Sequence, residues 1–159
     1  MMLPIAFHAV PLGGRILLPM HIPALIAGLL LGPAAGLVVG AGSPVLSMLL
    51  TGRPTVFYMV PMVFELAAYG VVAGVVRPLI GRALARRPYL ALVLALVAAM
   101  LVGRIVWITA VVWLAPVLGI QARTAAAALA ALGAGWIGAA LQLAVIPPIV
   151  RAVERPRAA

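Results

Sequence analysis

The sequence contains no cysteine, no lysine and no aspartate. Without cysteine the chain can form neither a disulfide nor a thiolate metal site. Only two acids, Glu65 and Glu154, stand against eleven arginines, which gives a formal net charge of +9. Just 8% of the residues are charged and 67% are hydrophobic, which is more apolar surface than a soluble domain of 159 residues can bury. The composition therefore predicts an all-α integral membrane protein.

The motifs of common enzyme classes are also missing. The sequence has no HExxH zinc motif, no GxSxG nucleophile turn and no GxxxxGK[ST] phosphate loop. His8 and His21 have no carboxylate or thiol nearby in the sequence, so hydrogen bonding is a better explanation for them than metal binding. No basic stripe alternates with aromatic residues, as nucleic-acid binding would require. We predict no catalytic residue, no metal, no cofactor and no nucleic-acid partner.

Apolar segments separated by turn signals predict a single membrane domain over residues 1–159. A bilayer-spanning helix needs about 20 apolar residues, so the chain has room for about six spans. The segments are Met1–Leu12, Ile16–Leu31, Ala34–Leu50, Val56–Val76, Tyr89–Ala115 and Ala125–Val150. The pattern therefore predicts a six-transmembrane-helix bundle in which the first helix is short or truncated.

Proline, glycine and polar residues mark the breaks between these segments. LGP at Leu31–Pro33 predicts a turn, and GSP at Gly42–Pro44 predicts an interruption of the third segment. TGRPT at Thr51–Thr55 and RPLIGRALARRP at Arg77–Pro88 are predicted loops, and a polar turn follows at Pro116–Thr124. Glycine or alanine pairs four residues apart indicate helices that approach closely. These pairs are Gly28/Gly32, Gly36/Gly40, Gly70/Gly74 and Ala131/Gly135.

The distribution of arginine predicts the orientation of the chain. With six segments, the Arg77–Pro88 loop and the C-terminal tail fall on the same side of the membrane. That side carries seven arginines and the opposite side carries three. The first group is Arg77, Arg82, Arg86, Arg87, Arg151, Arg155 and Arg157, and the second is Arg15, Arg53 and Arg123. Because arginine is enriched in cytoplasmic loops, we predict that both termini are cytoplasmic.

Glu65 and Arg104 are the only charges well inside the predicted spans. At a rise of 1.5 Å per residue they lie roughly 13 and 16 Å from the outer ends of antiparallel neighbouring segments, so they could meet. One interpretation is a structural ion pair in which each charge compensates the other. The other is a polar pocket in which Arg104 binds an anionic or amide group of a ligand. The two interpretations are compatible, and both stay open.

Three further side chains are candidates for the same region. Trp107 follows Arg104 by three residues and so lies on nearly the same helix face, where it could form a pocket wall. Tyr58 is near the predicted outer surface, where aromatic residues often form an interfacial belt. Gln142 is a polar group at membrane depth, which either bonds another helix or contacts a ligand.

The sequence also resembles a known family. Two consecutive runs carry the resemblance over Leu18–Val76: LPMHIPALIAGLLLGPAAGLVVGAGSPVLSMLLTGRP and MVPMVFELAAYGVVAGVV. The resemblance continues in VGRIVW and LQLAVIPPIV, so it covers most of the chain. These motifs are similar to those of the substrate-binding S components of energy-coupling factor (ECF) vitamin transporters.

The resemblance implies a fold and a function. S components are six-helix membrane bundles that capture one vitamin near the outer face and perform no catalysis. They dock on a transmembrane scaffold subunit that carries two ATPase subunits, and ATP hydrolysis helps them release the cargo inside. We therefore expect a multi-pass plasma-membrane protein of a prokaryote. Its cargo would be a water-soluble vitamin or precursor of the pantothenate, folate, pyridoxine or cobalamin class.

The expected ligand site lies on the outer loops and the outer halves of the helices. Arg104 would orient the ligand, and Glu65 would be its partner or a second ligand contact. The full predicted set is Arg15, His21, Tyr58, Glu65, Arg104, Trp107 and Gln142.

The first segment departs from the family pattern. S components usually carry an AxxxA docking motif in a full first helix, whereas here AFHA at Ala6–Ala9 has a different spacing. We expect that either translation starts upstream of Met1 or the chain docks differently. Two other functions stay open: a stand-alone secondary transporter or channel, and a membrane assembly protein in which Glu65 and Arg104 are purely structural. The first is disfavoured because the sequence has neither an inverted repeat nor a continuous polar path.

Overall fold

The computed structural model describes residues 20–119 and 135–154. Helices account for 89% of these residues, and no strand occurs among them. The described helices are α1 (His21–Leu31), α2 (Pro33–Thr51), α3 (Val56–Ala83), α4 (Pro88–Thr109) and α5 (Trp136–Glu154). The prediction of an all-α protein is therefore confirmed.

Four of the described helices are long and apolar enough to cross a bilayer. They are α2, α3, α5 and the continuous stretch Pro88–Leu114, whereas α1 is apolar but has only 11 residues. The predicted segments over residues 1–12 and 125–134 lie outside the described residues. The six-helix count therefore stays a prediction, and multiple membrane crossings are supported by these spans.

The predicted turn at LGP is confirmed. Leu31 ends α1, Gly32 alone forms the connection with a φ of 91°, and Pro33 begins α2. Proline suits the first turn of a helix because its missing N–H would have no partner there. Gly32 suits the connection because a positive φ is strained for any residue with a Cβ. This single-residue link makes α1 and α2 an antiparallel hairpin.

The predicted interruption at Gly42–Pro44 is wrong, because α2 continues through Pro44 to Thr51. Proline removes one backbone hydrogen bond, and Ser43 satisfies a nearby carbonyl by donating from Oγ to Val39 O at 2.6 Å. Gly40 and Pro44 also share the buried face of α2. Packing against α3 thus outweighs the local preference for a break.

The predicted loop over Arg77–Pro88 is largely wrong as well. Helix α3 extends to Ala83, so only four residues separate it from α4 at Pro88. The side chain of Arg77 explains this extension. It donates to the backbone carbonyl of Leu29 near the end of α1 and pairs with Glu154 at the end of α5. These contacts tie the ends of α1, α3 and α5 together and so stabilise the extended end of α3.

The fourth helix contains an irregular stretch, and the fifth is continuous but contains prolines. After Thr109 the helix widens into a π-helical segment, Ala110–Leu114, and then ends in one turn, Ala115–Val117. This agrees with the predicted segment Tyr89–Ala115. Helix α5 runs four residues beyond the predicted end at Val150 and carries two adjacent prolines, Pro147 and Pro148, near its middle.

Glycine contacts hold α1, α2 and α3 together. A Cβ added at Gly70 would collide with the backbone of Gly36, and one added at Gly28 would collide with the carbonyl oxygen of Gly70. Gly40 and Gly74 are in similarly close contact with Leu66 and with the α1–α2 turn. Lipid provides little hydrophobic driving force for helix association, so helices in a membrane associate largely through close backbone packing of this kind. The predicted close-packing role of these glycines is confirmed, and Gly32 instead forms the turn.

The described core lies between α1, α3, α4 and α5, while α2 packs against α1 and α3. Leu25, Leu66, Leu96 and Ile146 are completely buried and come from four different helices. Helix α5 packs against α1 and α4. The core therefore separates two groups of polar side chains at opposite ends of the bundle.

Candidate functional site

Glu65 is the centre of a buried polar cluster on α3. Its side chain is only 3% exposed, and its Oε1 accepts a hydrogen bond from Arg104 Nη1 at 2.8 Å. Tyr69 donates from its hydroxyl to the same oxygen at 2.9 Å, and His21 Nε2 lies 3.5 Å from it. We call His21, Glu65, Tyr69 and Arg104 the polar cluster. The prediction that the two intramembrane charges could meet is borne out.

The helical repeat and one glycine position these groups. Tyr69 follows Glu65 by one turn, so both side chains lie on the same face of α3. Gly103 on α4 leaves room for the ring of Tyr69, because a Cβ at Gly103 would overlap that ring. His21 begins α1, and its ring centroid lies 5.0 Å from that of Tyr69 at an angle of 51°. Three helices thus deliver the four side chains to one point.

The two charges of the cluster differ in exposure. The side chain of Arg104 is 24% exposed, whereas that of Glu65 is 3% exposed. A guanidinium carries five N–H donors, and the bond to Glu65 uses one of them. Arg104 can therefore neutralise Glu65 and still contact a second acceptor at its exposed side. This geometry accommodates both the structural and the ligand-binding interpretation of the pair.

The remaining predicted site residues lie around this cluster or outside the described chain. Trp107 is half-buried one turn after Arg104, and Tyr58 is 46% exposed near the start of α3. Gln142 on α5 is 1% exposed, and among the described residues neither of its amide atoms has a hydrogen-bond partner. Arg15 lies outside the described residues. The structure thus joins His21, Glu65 and Arg104 directly.

Sequence reasoning missed two residues of the cluster, Tyr69 and Gly103. The spacing of Glu65 and Tyr69 in FELAAYG places a hydroxyl one turn from a buried carboxylate, which was an available signal. Gly103 immediately precedes Arg104, but its role depends on how α4 is rotated against α3. The sequence does not determine that rotation.

A second polar contact lies at the opposite end of the bundle. Arg77 contacts Leu29 and Glu154 there, and the side chains of the ion pair are 24% and 36% exposed. A nearby groove of about 340 Å³ is lined by Tyr89, Pro148, Arg151 and Ala152. Arg82, Arg86 and Arg87 are also exposed at this end. We call this the basic end.

The described residues contain no group of three or more His, Cys, Asp or Glu side chains that could hold a metal ion. The polar cluster offers a cation with spare donors, a buried carboxylate, an imidazole and a phenol. Such a set can hold a polar molecule by hydrogen bonds and charge.

Comparison with known proteins gives one match. The family described as "ECF transporter, substrate-specific component" matches residues 1–150. No curated protein and no solved structure matches the chain.

Proposed function

The chain belongs to the family of ECF transporter substrate-specific components, and from this membership we propose that it captures a water-soluble vitamin or vitamin precursor. The resemblance noted in the sequence is confirmed by the family match. Membership and the apolar spans make the chain a multi-pass membrane protein that binds a transport substrate. The identity of the cargo and the place where it binds are the subject of the proposal.

The polar cluster is the main structural observation that supports a ligand-binding site at this place. A charge at membrane depth costs several kcal/mol, so a paired Glu65 and Arg104 need a reason to be there. If the only role of the pair were to hold the helices together, apolar side chains could do this, because they often stabilise a protein as much as a buried ion pair does. Binding a polar molecule within an apolar bundle does require polar groups. The partial exposure of Arg104 supports that use of the pair.

Arg104 takes the main role at the proposed site, binding an anionic group of the cargo. Glu65 neutralises and orients Arg104, while His21 and Tyr69 hold the carboxylate in place. Trp107 and Tyr58 would provide apolar and aromatic walls, Gln142 a polar contact, and Arg15 a contact from the segment before α1. The cargo would belong to the pantothenate, folate, pyridoxine or cobalamin class.

Release on the inner side completes the proposed cycle. The chain would dock on the transmembrane scaffold subunit and its two ATPase subunits, which supply the energy for release. The distribution of arginine supports a cytoplasmic C-terminus and hence a polar cluster in the outer half of the membrane. The membrane would be the plasma membrane of a prokaryote.

A thermal-shift screen of the purified, detergent-solubilised protein tests this function. The probes are pantothenate, folate, pyridoxine and cobalamin. A ligand that binds only the folded state stabilises it by about 2.7 kcal/mol at a hundredfold excess over Kd, so one probe should clearly raise the melting temperature. No shift with any probe, together with no small molecule extracted from the protein as purified, would refute vitamin capture.

The variants for this screen must keep the buried charges balanced. Arg104→Ala alone would leave Glu65 buried and unpaired, at a cost of about 3–5 kcal/mol, and loss of binding could then reflect loss of fold. The double variant Glu65→Gln with Arg104→Gln keeps a hydrogen-bonded pair without charge. We expect it to stay folded and lose binding, and Glu65→Gln alone to bind the anionic cargo within a few-fold of wild type. Unchanged affinity in the double variant would exclude Arg104 as a ligand contact.

A further inference from the structure

Gln142 is buried among helices and has no hydrogen-bond partner within residues 20–119 and 135–154. Its side chain is 1% exposed, and both the amide nitrogen and the amide oxygen lack a partner. More than nine in ten buried polar groups in native proteins are paired, because an unpaired one costs free energy. An amide with neither atom paired therefore needs an explanation. A binding partner that the described residues do not include would provide one.

The contacts at the basic end give the height of Gln142 in the bundle. Arg77 on α3 pairs with Glu154 on α5, so these two residues lie at the same level. Arg77 also reaches Leu29 near the end of α1. Counting back the same twelve residues from Arg77 and from Glu154 leads to Glu65 and to Gln142. Gln142 therefore lies at the level of the polar cluster, about 18 Å from the basic end at the helical rise of 1.5 Å per residue.

Gln142 is also on a helix that packs against two of the helices that form the cluster. Helix α5 packs against α1 and α4, which carry His21 and Arg104. Gln142 is on the buried face of α5, together with Gly138 and Ile146. In the described chain the buried polar side chains are His21, Glu65 and Gln142, and all three occupy this one level.

The chemistry of the amide narrows the group that would satisfy it. A primary amide presents a donor and an acceptor side by side. A group with both an N–H and a C=O, as in an amide or a ureide, can donate to the amide oxygen or accept from the amide nitrogen. Arg104, with donors to spare and a partly exposed side chain, suits a carboxylate.

We propose that Gln142 is the amide-recognition residue of the ligand site, and that the cargo is a small carboxylic acid that also carries an amide or ureide group. This proposal rests on the proposed function and narrows it. Pantothenate and folate contain both groups, pyridoxine contains neither, and cobalamin has amides but no carboxylate. The four probes therefore separate the possibilities.

The test measures probe binding to the full-length wild type and to Gln142→Leu in detergent. Leucine is similar in size and removes both unpaired atoms. We expect the melting temperature of ligand-free Gln142→Leu to rise, and its affinity for the amide-bearing probe to fall by about 10- to 100-fold, because the buried amide of the cargo is left without a partner. Gln142→Met repeats the test with a more flexible side chain. Leu143→Met is the matched control and should bind like the wild type.

A second comparison addresses the two halves of the proposed cargo. Pantothenol has the amide of pantothenate but an alcohol in place of the carboxylate. If pantothenate binds, pantothenol should bind more weakly to the wild type, and the two should differ less in the double variant with Glu65→Gln and Arg104→Gln. Gln142→Leu should weaken both probes by the same factor, because both contain the amide.

Each outcome decides the proposal. A wild type that binds pantothenate or folate, with the expected losses in Gln142→Leu, supports it. A wild type that binds any probe with equal affinity in Gln142→Leu refutes the role of Gln142 and leaves vitamin capture standing. Binding of pyridoxine alone or of cobalamin alone also refutes the proposal and leaves vitamin capture standing. Lower stability of both ligand-free Gln142 variants would also refute it, because the amide would then have a structural partner. If the wild type binds no probe and yields no extracted molecule, vitamin capture fails and this proposal fails with it.

Discussion

Tyr69 and Gly103 show how closely the polar cluster depends on individual side chains. The ring of Tyr69 is 1% exposed and occupies the space that a Cβ at Gly103 would need. Its hydroxyl donates to Glu65, which also pairs with Arg104. Arg104 directly follows Gly103, so one residue of α4 makes room for the cluster and the next one completes it.

A methyl group at position 103 should therefore disturb the cluster. We expect Gly103→Ala to displace the ring of Tyr69 and destabilise the protein by about 1–3 kcal/mol, as overpacking of a core does. Thermal unfolding in detergent measures this, and ligand affinity should fall in the same variant. Gly42→Ala is the control, because a Cβ at Gly42 meets nothing within 4 Å. Equal melting temperatures for the two variants would contradict the packing role of Gly103.

The depth of the cluster could be predicted from the sequence, and its composition only in part. Glu65 and Arg104 are single charges in long apolar segments, so segment ends and the helical rise suffice to place them at similar depth. Which neighbours join them depends on helix rotation and on distances between helices. His21 lies far from Glu65 in the sequence, and Gln142 gives no sign of being unpaired until the helices are packed.

At the scale of helices, the close glycine packing between α2 and α3 also explains why α2 tolerates a proline. Gly36, Gly40 and Pro44 lie on one buried face of α2, and Gly70 and Gly74 on the facing side of α3. Close contact between these backbones stabilises both helices, so α2 continues as a helix past Pro44. Local rules predicted a break there because they count the lost hydrogen bond and omit the packing. In α3, the contacts of Arg77 similarly stabilise the part of the helix that continues past Pro78.

Gly70 is the position where this packing is most easily tested. A methyl group there would collide with the backbone of Gly36 and so must push α3 away from α2. We expect Gly70→Ala to lower stability by at least about 1–3 kcal/mol. Gly81→Ala on the same helix should cause no loss, because a Cβ there meets nothing within 4 Å. The measurement is thermal unfolding of both variants, and the packing model fails if Gly70→Ala melts with the wild type.

Across the whole molecule, charge is unevenly distributed between the two ends. The basic end carries exposed Arg82, Arg86 and Arg87, whereas the loop between α2 and α3 carries Arg53. This asymmetry was visible in the sequence, because it requires only the order of segments and arginines. Its link to membrane orientation is a general rule about cytoplasmic loops, and so it gives a prediction that can be tested directly.

The absence of cysteine makes that test free of background labelling. Arg53→Cys and Arg86→Cys place single thiols at exposed positions on opposite ends of the bundle. With a membrane-impermeant maleimide on intact cells, we expect Arg53→Cys to react and Arg86→Cys to react only after permeabilisation. The reverse pattern would invert the predicted orientation and place the polar cluster near the cytoplasm.

The adjacent prolines of α5 have a mechanical consequence. Pro147 and Pro148 lie between Gln142 and Glu154, and each lacks the N–H that would bond to the preceding turn. Glu154 pairs with Arg77, and this contact holds the C-terminal end of α5 in place. Because two successive backbone hydrogen bonds are missing there, the middle of α5 is the part of the helix that bends most easily. We therefore expect any bending of α5 to occur at these prolines and to move the end that carries Gln142 relative to the basic end.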